Sequence, residues 1–567
     1  MKIKSLLIGM LACSAMVACT NTDEPEVDNG GAKGNESYLA VKLVNPSAGS
    51  RATGNYAYGS EAEQTVTSAR FYLFDANGGA YIINDESKDP SNNNKNYVDA
   101  KEIKSEDGFK DTGSTNVETV LEAVLVINSS KKLPPAKIMA VLNYSDELGT
   151  ANLSLTELKD KVANFGTIKD ETNPAPYVSV GKFVMSNSVY VDAAGNLAEA
   201  TPIAAENIAT ESDLAKENPV KIYVERVAAK VQTEVSVPTT VTEETKNAGK
   251  FFIQDGKYYA FTGEEDASGN KIYACLKGWR VTNITNQSNL IKDLDATADA
   301  NLTWTWNNAD DYRSYWADAN HQPSFVWTFN ETNLPFTDVN YEYYNENTQN
   351  VVGNHSSNKN SQLLVAAEFV TFTADGKVNN PQPIAEWYGV KYTLKGLKEV
   401  VADALASKLY TKETDNSYVS IAPSAITFTQ VEANLADNRY ISKIGVADNT
   451  YYYKNGKEMK AYTATEVQAI VDALQTTKIW GNIVNDKYVG GGYYYLDIEH
   501  DKATKTYGLV RNHWYKLTLN SLAGLGTPVY DPDKVITTET PETDASFIAA
   551  EINVLAWRMV EQGVDLK

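Results

Sequence analysis

The feature that most constrains this chain is a period of two in its apolar residues, and the clearest run is the last. From Phe547 onward Ile548, Ala550, Ile552 and Val554 fall on one side, the phase of a half-buried strand. At Val554–Leu555 the phase flips, and Leu555, Trp557 and Met559 take the apolar side. A flip of that kind predicts a bulge, or a strand that changes the surface it packs on. The preceding residues, Asp531 to Asp544, are acidic, polar and broken by Pro532 and Pro541, which reads as a tether. A strand on a tether has two destinations: the edge of its own domain, or another molecule.

The same alternation recurs along most of the chain, so the expected class is mainly β. Ser37 to Val44 is a strand with Leu39, Val41 and Leu43 on one face. Val66 to Phe74 alternates and closes on a turn at Asn77, Gly78 and Gly79. Val117–Ile127 and Ile138–Asn143 are expected to be buried strands, and Phe183–Val191 a strand pair. Ser154 and Glu157 form a capping box that opens a short helix through about Ala163. The polar stretch Glu206–Asn218 precedes a new run, Pro219 to Val235, and the domain boundary is placed there. Beyond it, hairpins are signalled at Asp255–Gly256, Asp375–Gly376 and Asn455–Gly456. Thr463 and Glu466 cap a helix whose Val467, Ile470, Val471 and Leu474 share one face, and a second helix is expected between Gly396 and Leu409. Gly492–His500 and Tyr507–Leu519 are expected to be adjacent strands.

At the other end, Lys2 and Lys4 precede an apolar stretch, Leu6 to Ala18, that is too short to span a bilayer. A basic start followed by a short apolar stretch is a secretory signal. It ends in Val17, Ala18 and Cys19, which resembles the lipobox of a bacterial lipoprotein, so Cys19 is the expected lipid attachment site; Cys13 is the weaker candidate. The acidic residues that follow resemble a surface-export signal. Residues 20–36 are a polar spacer by composition. After the first strand comes a loop of small residues around Arg51, the one arginine before Arg70. Arg51 is either an ordinary loop arginine or a place where a protease reaches flexible backbone. Two of the three cysteines lie in the signal region, which leaves Cys275 without an intramolecular disulfide partner.

The residues offer little for catalysis. Asp and Glu total 73 against 51 Lys and Arg, a net charge of −22, which disfavours nucleic acid as a partner. Four histidines, His321, His355, His500 and His513, show no close metal-ligand spacing. The densest polar group, Asp497, Glu499, His500 and Asp501, reads as the solvated side of a strand whose Leu496 and Ile498 point the other way. The chain is therefore read as a non-enzyme with no cofactor and no metal. Tyrosine is abundant, 34 residues with triplets at 451–453 and 493–495. In strands such rings alternate between buried and exposed, and the functional reading is an aromatic platform for sugar rings or a partner.

Three stretches carry a family likeness: Tyr223–Val231, Gly508–Gly526, and the tail Val554–Arg558 with Val564–Leu566. On these the chain resembles the major subunits of Bacteroidales type V pili, specifically the short-fimbrium (Mfa-type) fimbrilins, although Ala556 stands where tails of that family carry Pro. The resemblance implies a mainly β fold of two transthyretin-like β-sandwich domains with a few short helices, plus exchanged N- and C-terminal strands. It divides the chain into a signal peptide (1–18), a leader with the first strand that is removed on maturation (19–51), an N-terminal domain (52–218), a C-terminal domain (219–544) and a donor strand (545–567).

The resemblance also implies a mechanism. An arginine-specific surface protease would cut between Arg51 and Ala52, and the plug strand of Leu39, Val41 and Leu43 would leave. A neighbouring subunit's Ile548, Ile552, Val554, Leu555 and Trp557 would then fill the groove. Implied partners are further copies of the chain, anchor and tip subunits, and receptors on host or bacterial surfaces. The implied location is an outer-membrane lipoprotein precursor that becomes an extracellular fimbrium for adhesion and biofilm. Two alternatives stand beside this: a surface glycan-binding lipoprotein that keeps its leader, and a tip or accessory subunit of the same fimbriae.

Overall fold

The computed structural model describes residues 36–46, 60, 63, 66–83, 94–101, 117–128, 133–144, 148–164, 183–188, 190–191, 197–285, 287–292, 327–337, 340–348, 360–379, 381–434, 439–476, 479–483, 489–501, 506–529, 531–533, 536 and 548–555. The chain is mainly β with a few short helices, as its period of two requires. Its buried residues gather into three large apolar clusters.

The first core is built on a nine-stranded sheet. Ser68–Phe74 lies inside it, between Tyr97–Lys101 and Lys137–Leu142, and every residue from Ala69 to Phe74 is buried. Alternation in the sequence there marks a strand covered on both faces rather than one. The turn after it is closed by Asp75, whose carboxylate accepts from the Asn77 and Gly79 amides at 2.8 Å. The helix capped by Ser154 spans only Leu155–Lys159. Val162–Asn164 instead forms a strand with Gln287–Asn289, a tertiary pairing that overrides the helical continuation expected to Ala163. Phe183–Val191 is not one hairpin: Met185–Asn187 pairs with Val220–Arg226 and Lys137–Leu142, whereas Tyr190–Val191 pairs with Leu197–Ala198.

The second core lies between two sheets. One has the order Tyr341–Asn345, Ala228–Val235, Trp514–Leu522, Ile548–Leu555; the other runs Phe252–Gln254, Lys257–Glu265, Lys271–Thr282, Gln362–Val370, Gly491–Asp497, Thr527–Pro528. Trp514–Leu522 shows why it faces only one way: Tyr515, Leu517 and Leu519 are fully buried while Lys516 and Thr518 between them are not. The chain passes from the first core to the second between Val227 and Ala229, inside the Pro219–Val235 run. Val220–Arg226 belongs to the sheet of the first core and Ala228–Val235 to that of the second, so the changeover falls later than residue 219. The long strands near the C-terminus also differ from expectation. Gly491–Asp497 and Trp514–Leu522 lie in different sheets, and the local hairpin is Glu499–Asp501 with Thr506–Leu509.

A third core, not anticipated from the sequence, occupies residues 384–481. It emerges between Gln362–Val370 and Gly491–Asp497, which pair directly with each other, so it is an insertion at the end of a hairpin. Helices Leu394–Leu405, capped by Thr393, and Ala464–Leu474, capped by Thr463, pack Leu397, Val401, Leu405, Val467 and Val471 into it. The hairpins at Asp255–Gly256 and Gly456 form here and in the second core, and Asp255 and Gly256 both take the positive φ that a type I′ turn needs.

The insertion is fastened at its neck. Asn482, 1% exposed, accepts from the Ile384 amide at 2.9 Å and donates to the Gly491 and Val529 carbonyls at 3.3 and 3.2 Å. Beside it Gly481 has φ +134°, and a Cβ there would lie 2.4 Å from the Ile384 carbonyl oxygen. Asn482→Ala removes all three bonds and strands buried backbone groups. It should cost about 2–3 kcal/mol, read as a lower urea midpoint; an unchanged midpoint would show that the neck is held by other contacts.

Candidate functional site

The first strand, Glu36–Pro46, sits inside its sheet and not at the edge. Along one side it pairs antiparallel with Val117–Asn128, from Glu36↔Asn128 to Pro46↔Val117. Along the other it pairs first with Ile208–Ala209 and then, in parallel, with Val220–Tyr223. Leu39 and Val41 are fully buried in the first core. Leu43 stands opposite Leu121 on one neighbour and Ile222 on the other. No direct pairing joins Val117–Asn128 to Val220–Arg226, so this strand alone bridges them among the described residues.

Among the described residues the last strand, Ile548–Leu555, has one neighbour and forms a sheet edge. It runs antiparallel to Trp514–Leu522, with Ile548↔Leu522, Ile552↔Leu517, Val554↔Tyr515 and Leu555↔Trp514. The irregularity lies on the partner strand, between Leu519 and Ser521 opposite Ala549 and Ala550, and pairing is regular at Val554–Leu555. Its cause is visible in burial. Leu519 and Leu522 both face the core although they are three residues apart, which requires one extra residue in the strand. Cys19, Arg51, Ala52 and Trp557 lie outside the described residues.

Between the first and second cores lies a buried polar junction that sequence reasoning did not find. Three ion pairs meet there: Lys230–Glu63 at 2.8 Å, Lys292–Glu225 at 2.9 Å and Arg511–Glu346 at 2.8 Å, each with both side chains at most 5% exposed. Backbone bonds stitch the same region, Asn512 N–H to the Ala228 carbonyl at 2.8 Å and Lys230 N–H to that of His513 at 2.9 Å. Arg226 donates to the Glu63 carbonyl at 2.7 Å and to Asn512 Oδ1 at 3.1 Å. Arg511 reaches the Asn289 and Leu290 carbonyls at 2.6 and 3.2 Å. The residues belong largely to the stretches Tyr223–Val231 and Gly508–Gly526, so the two internal stretches that carry the family likeness meet in space. Each reads locally as a strand with charges, and it is the parallel pairing of Ala228–Val235 with Trp514–Leu522 that brings them side by side.

The other sequence candidates divide. His500 and His513 meet edge to face with ring centroids 5.0 Å apart, His500 Nδ1 lies 2.8 Å from the Tyr515 hydroxyl, and both histidines are buried. Asp497 accepts from Gln362 Nε2 at 2.8 Å, and Glu499 remains half-buried on the hairpin. His321 and His355 lie outside the described residues. Burial pushes the Cys275 thiol up, which favours the inert form. Among the described residues no group of three or more His, Cys, Asp or Glu could hold a metal ion. Tyr493 and Tyr494 are both buried rather than alternating, because their strand is covered on both faces; Tyr451 is buried too. Tyr452 and Tyr453 pack edge-on and tilted against Tyr418 and Tyr462. The triplets therefore serve packing and do not form a flat row of open rings.

These features define a mainly β protein, with one terminal strand enclosed by its sheet and the other, among the described residues, on an edge. Residues 486–563 match the family described as Major fimbrial subunit protein type IV, Fimbrillin, C-terminal. That match covers the C-terminal stretch, which is therefore similar to a major fimbrial subunit protein. Among solved structures it is similar to a fimbrilin (FimA) from Porphyromonas gingivalis W83, at 12% identity over 92% of this chain and 98% of that one, TM-score 0.36. A putative cell adhesion protein from Bacteroides eggerthii matches at 11% identity over 95% and 100%, TM-score 0.34. The tip fimbrial protein Mfa3 from Porphyromonas gingivalis matches at 9% identity over 91% and 100%, TM-score 0.30. No curated protein matches the chain.

The junction makes the fold sensitive to acid. Burial alone would push the Glu63 carboxyl up, but Lys230 and Arg226 outweigh it and hold the group below its ordinary value of 4.5. A depressed folded value means that Glu63 contributes its full stability above about pH 4.5, and loses it as pH falls through the lower folded value. Glu63→Gln should therefore lower stability at neutral pH and flatten the fall between pH 5 and 3, both followed by urea unfolding. Parallel acid limbs in the two proteins would show that Glu63 is not linked to folding.

Proposed function

We propose that the chain is a shaft subunit of Bacteroidales type V fimbriae, of the short-fimbrium type, exported as a lipoprotein and polymerised by exchange of terminal strands. The observation that carries this reading is the position of Glu36–Pro46. Withdrawing an inner strand leaves two unpaired edges and an apolar slot where Leu39 and Val41 stood. Such a slot takes a β-strand of alternating apolar residues by backbone pairing, with side chains filling alternate pockets. Ile548, Ile552 and Val554 have that alternation, and among the described residues their strand is bonded on one side only, so it can leave with the loss of a single row of pairs. While the first strand is in place it satisfies both edges and blocks premature association.

In this scheme Cys19 carries the lipid of the precursor, an arginine-specific protease cuts after Arg51, and lipid and plug depart together. The partners are further copies of the chain and the anchor and tip subunits. The proposed end state is an extracellular fimbrium for adhesion and biofilm. The provisional domain limits become 52–227 and 228–544, with the changeover at Val227–Ala229.

Processing is tested first. Arg51→Ala should leave a longer, lipid-bearing monomer on the cell surface, seen by mass spectrometry and gel filtration. Polymers of normal length that retain the leader would sink the scheme. The second test separates exchange from closure of the chain's own sheet, which the edge pairing with Trp514–Leu522 favours as a rival reading. Each of Ile548, Ile552, Val554, Leu555 and Trp557 brings roughly 1.5–3 kcal/mol if fully buried. Deleting residues 547–567 should give a processed monomer that melts like the intact monomer and never extends a fibre. A truncated chain that arrives unfolded would assign the strand to its own domain.

A further inference from the structure

Among the described residues, the segment before Ser68–Phe74 contributes the side chain of Glu63 to the junction, far from its partners in sequence. Glu63 is 1% exposed and faces residues 163, 167 and 280 positions away: Arg226, Lys230 and Tyr343. Its Oε1 accepts from Lys230 Nζ at 2.8 Å and from the Tyr343 hydroxyl, and its carbonyl accepts from Arg226. Rings also stand against Lys230: its ammonium lies 3.8 Å from the Tyr341 centroid, 4.1 Å from Trp514 and 5.8 Å from Tyr343. Aromatic faces attract a cation but do not neutralise it, whereas the Glu63 carboxylate, paired with it at 2.8 Å, does.

The partners stand on opposite sides of the junction. Val220–Arg226 belongs to the sheet of the first core, while Lys230 and Trp514 stand in register on neighbouring strands of the second. Tyr343 comes from the second core's sheet but packs against Phe183 of the first, ring centroids 4.8 Å apart. The polypeptide that bears Glu63 leads directly into Ser68–Phe74, the fully buried strand of the first core. A single residue thus ties that segment and both cores together: its carboxylate holds Lys230 and Tyr343 of the second core's sheet, Tyr343 packs on Phe183 of the first, and its backbone carbonyl holds Arg226 of the first core's sheet.

We propose that Glu63 is a clasp: by closing the aromatic enclosure of Lys230 it locks the first and second cores into one cooperative unit. With the clasp closed, neither core can unfold or rotate alone without leaving a charge buried and unpartnered. The lock is a property of the monomer and holds whether or not the chain polymerises. Position 63 also lies beyond residue 51, so the clasp stays with the protein if the leader is removed.

The sequence provides a direct readout. All nine tryptophans lie after residue 228, so tryptophan fluorescence follows the C-terminal part of the chain while circular dichroism follows all of it. In the full chain the two signals should give coincident urea transitions; separate transitions in the unmutated protein would overturn the lock. Glu63→Gln should raise the unfolding constant at least tenfold and pull the two transitions apart. Lys230→Met removes the cation and keeps most of the volume, so combined with Glu63→Gln it should be at least tenfold less destabilised than the sum of the two single effects. Effects that add within twofold, with transitions still coincident, would overturn the proposal. Should Glu63→Gln fail to fold, a folded double variant supports the clasp, and a double variant that also fails overturns it.

Discussion

A charge removed from water must find an opposite charge, and among the described residues three such places lie together. Lys230–Glu63, Lys292–Glu225 and Arg511–Glu346 are all buried where the first core meets the second. Replacing such a pair with well-packed apolar residues is often neutral, whereas removing one partner costs about 3–5 kcal/mol. The pairs are therefore better understood as fixing an arrangement than as adding stability. Each partner specifies where another strand must stand, and any slip in register would leave a buried charge alone. Residues 287–292 show the consequence. They lie in sequence between strands of the second core, yet Leu290 and Ile291 belong to the first, with Arg511 bonding the Asn289 and Leu290 carbonyls.

That rigid junction bears on the termini. Lys230, Trp514 and Leu555 stand in one register row across three strands, so the end of the last described strand pairs with the residue whose ring helps enclose Lys230. The first strand is anchored in the other direction, through Val220–Tyr223, the strand that continues into Glu225 and Arg226. In the proposed assembly, force along a fibre enters and leaves through strands bonded to the two sides of the junction. A firm joint between those points would keep one subunit from unfolding under a load its strands can bear.

The insertion at 384–481 follows a different logic. It has its own core and its own caps, and its two ends are held at Asn482 beside the hairpin from which it emerges. A hairpin end is where a fold accepts extra chain at the lowest entropic cost, because the flanking strands are already paired. The second core is complete without the insertion, apart from Ile384, which faces it from the neck.

The sequence by itself determined the class of the fold and most of its strands. A period of two is a local property, as are the caps at Ser154 and Thr463 and the turn at Asp255–Gly256, and each forms where the residues place it. It also placed the first and last strands and marked the stretches Tyr223–Val231 and Gly508–Gly526 as distinctive. Only the tertiary structure decided which strands are neighbours, and therefore whether an alternating run is covered on one face or both. That is why Tyr493 and Tyr494 are both buried, and why Val162–Asn164 is a strand and not helix. The junction was invisible for the same reason. Glu63, Lys230 and Tyr343 are unremarkable polar residues until pairings across hundreds of positions bring them within hydrogen-bond distance, and no local pattern encodes a contact of that span.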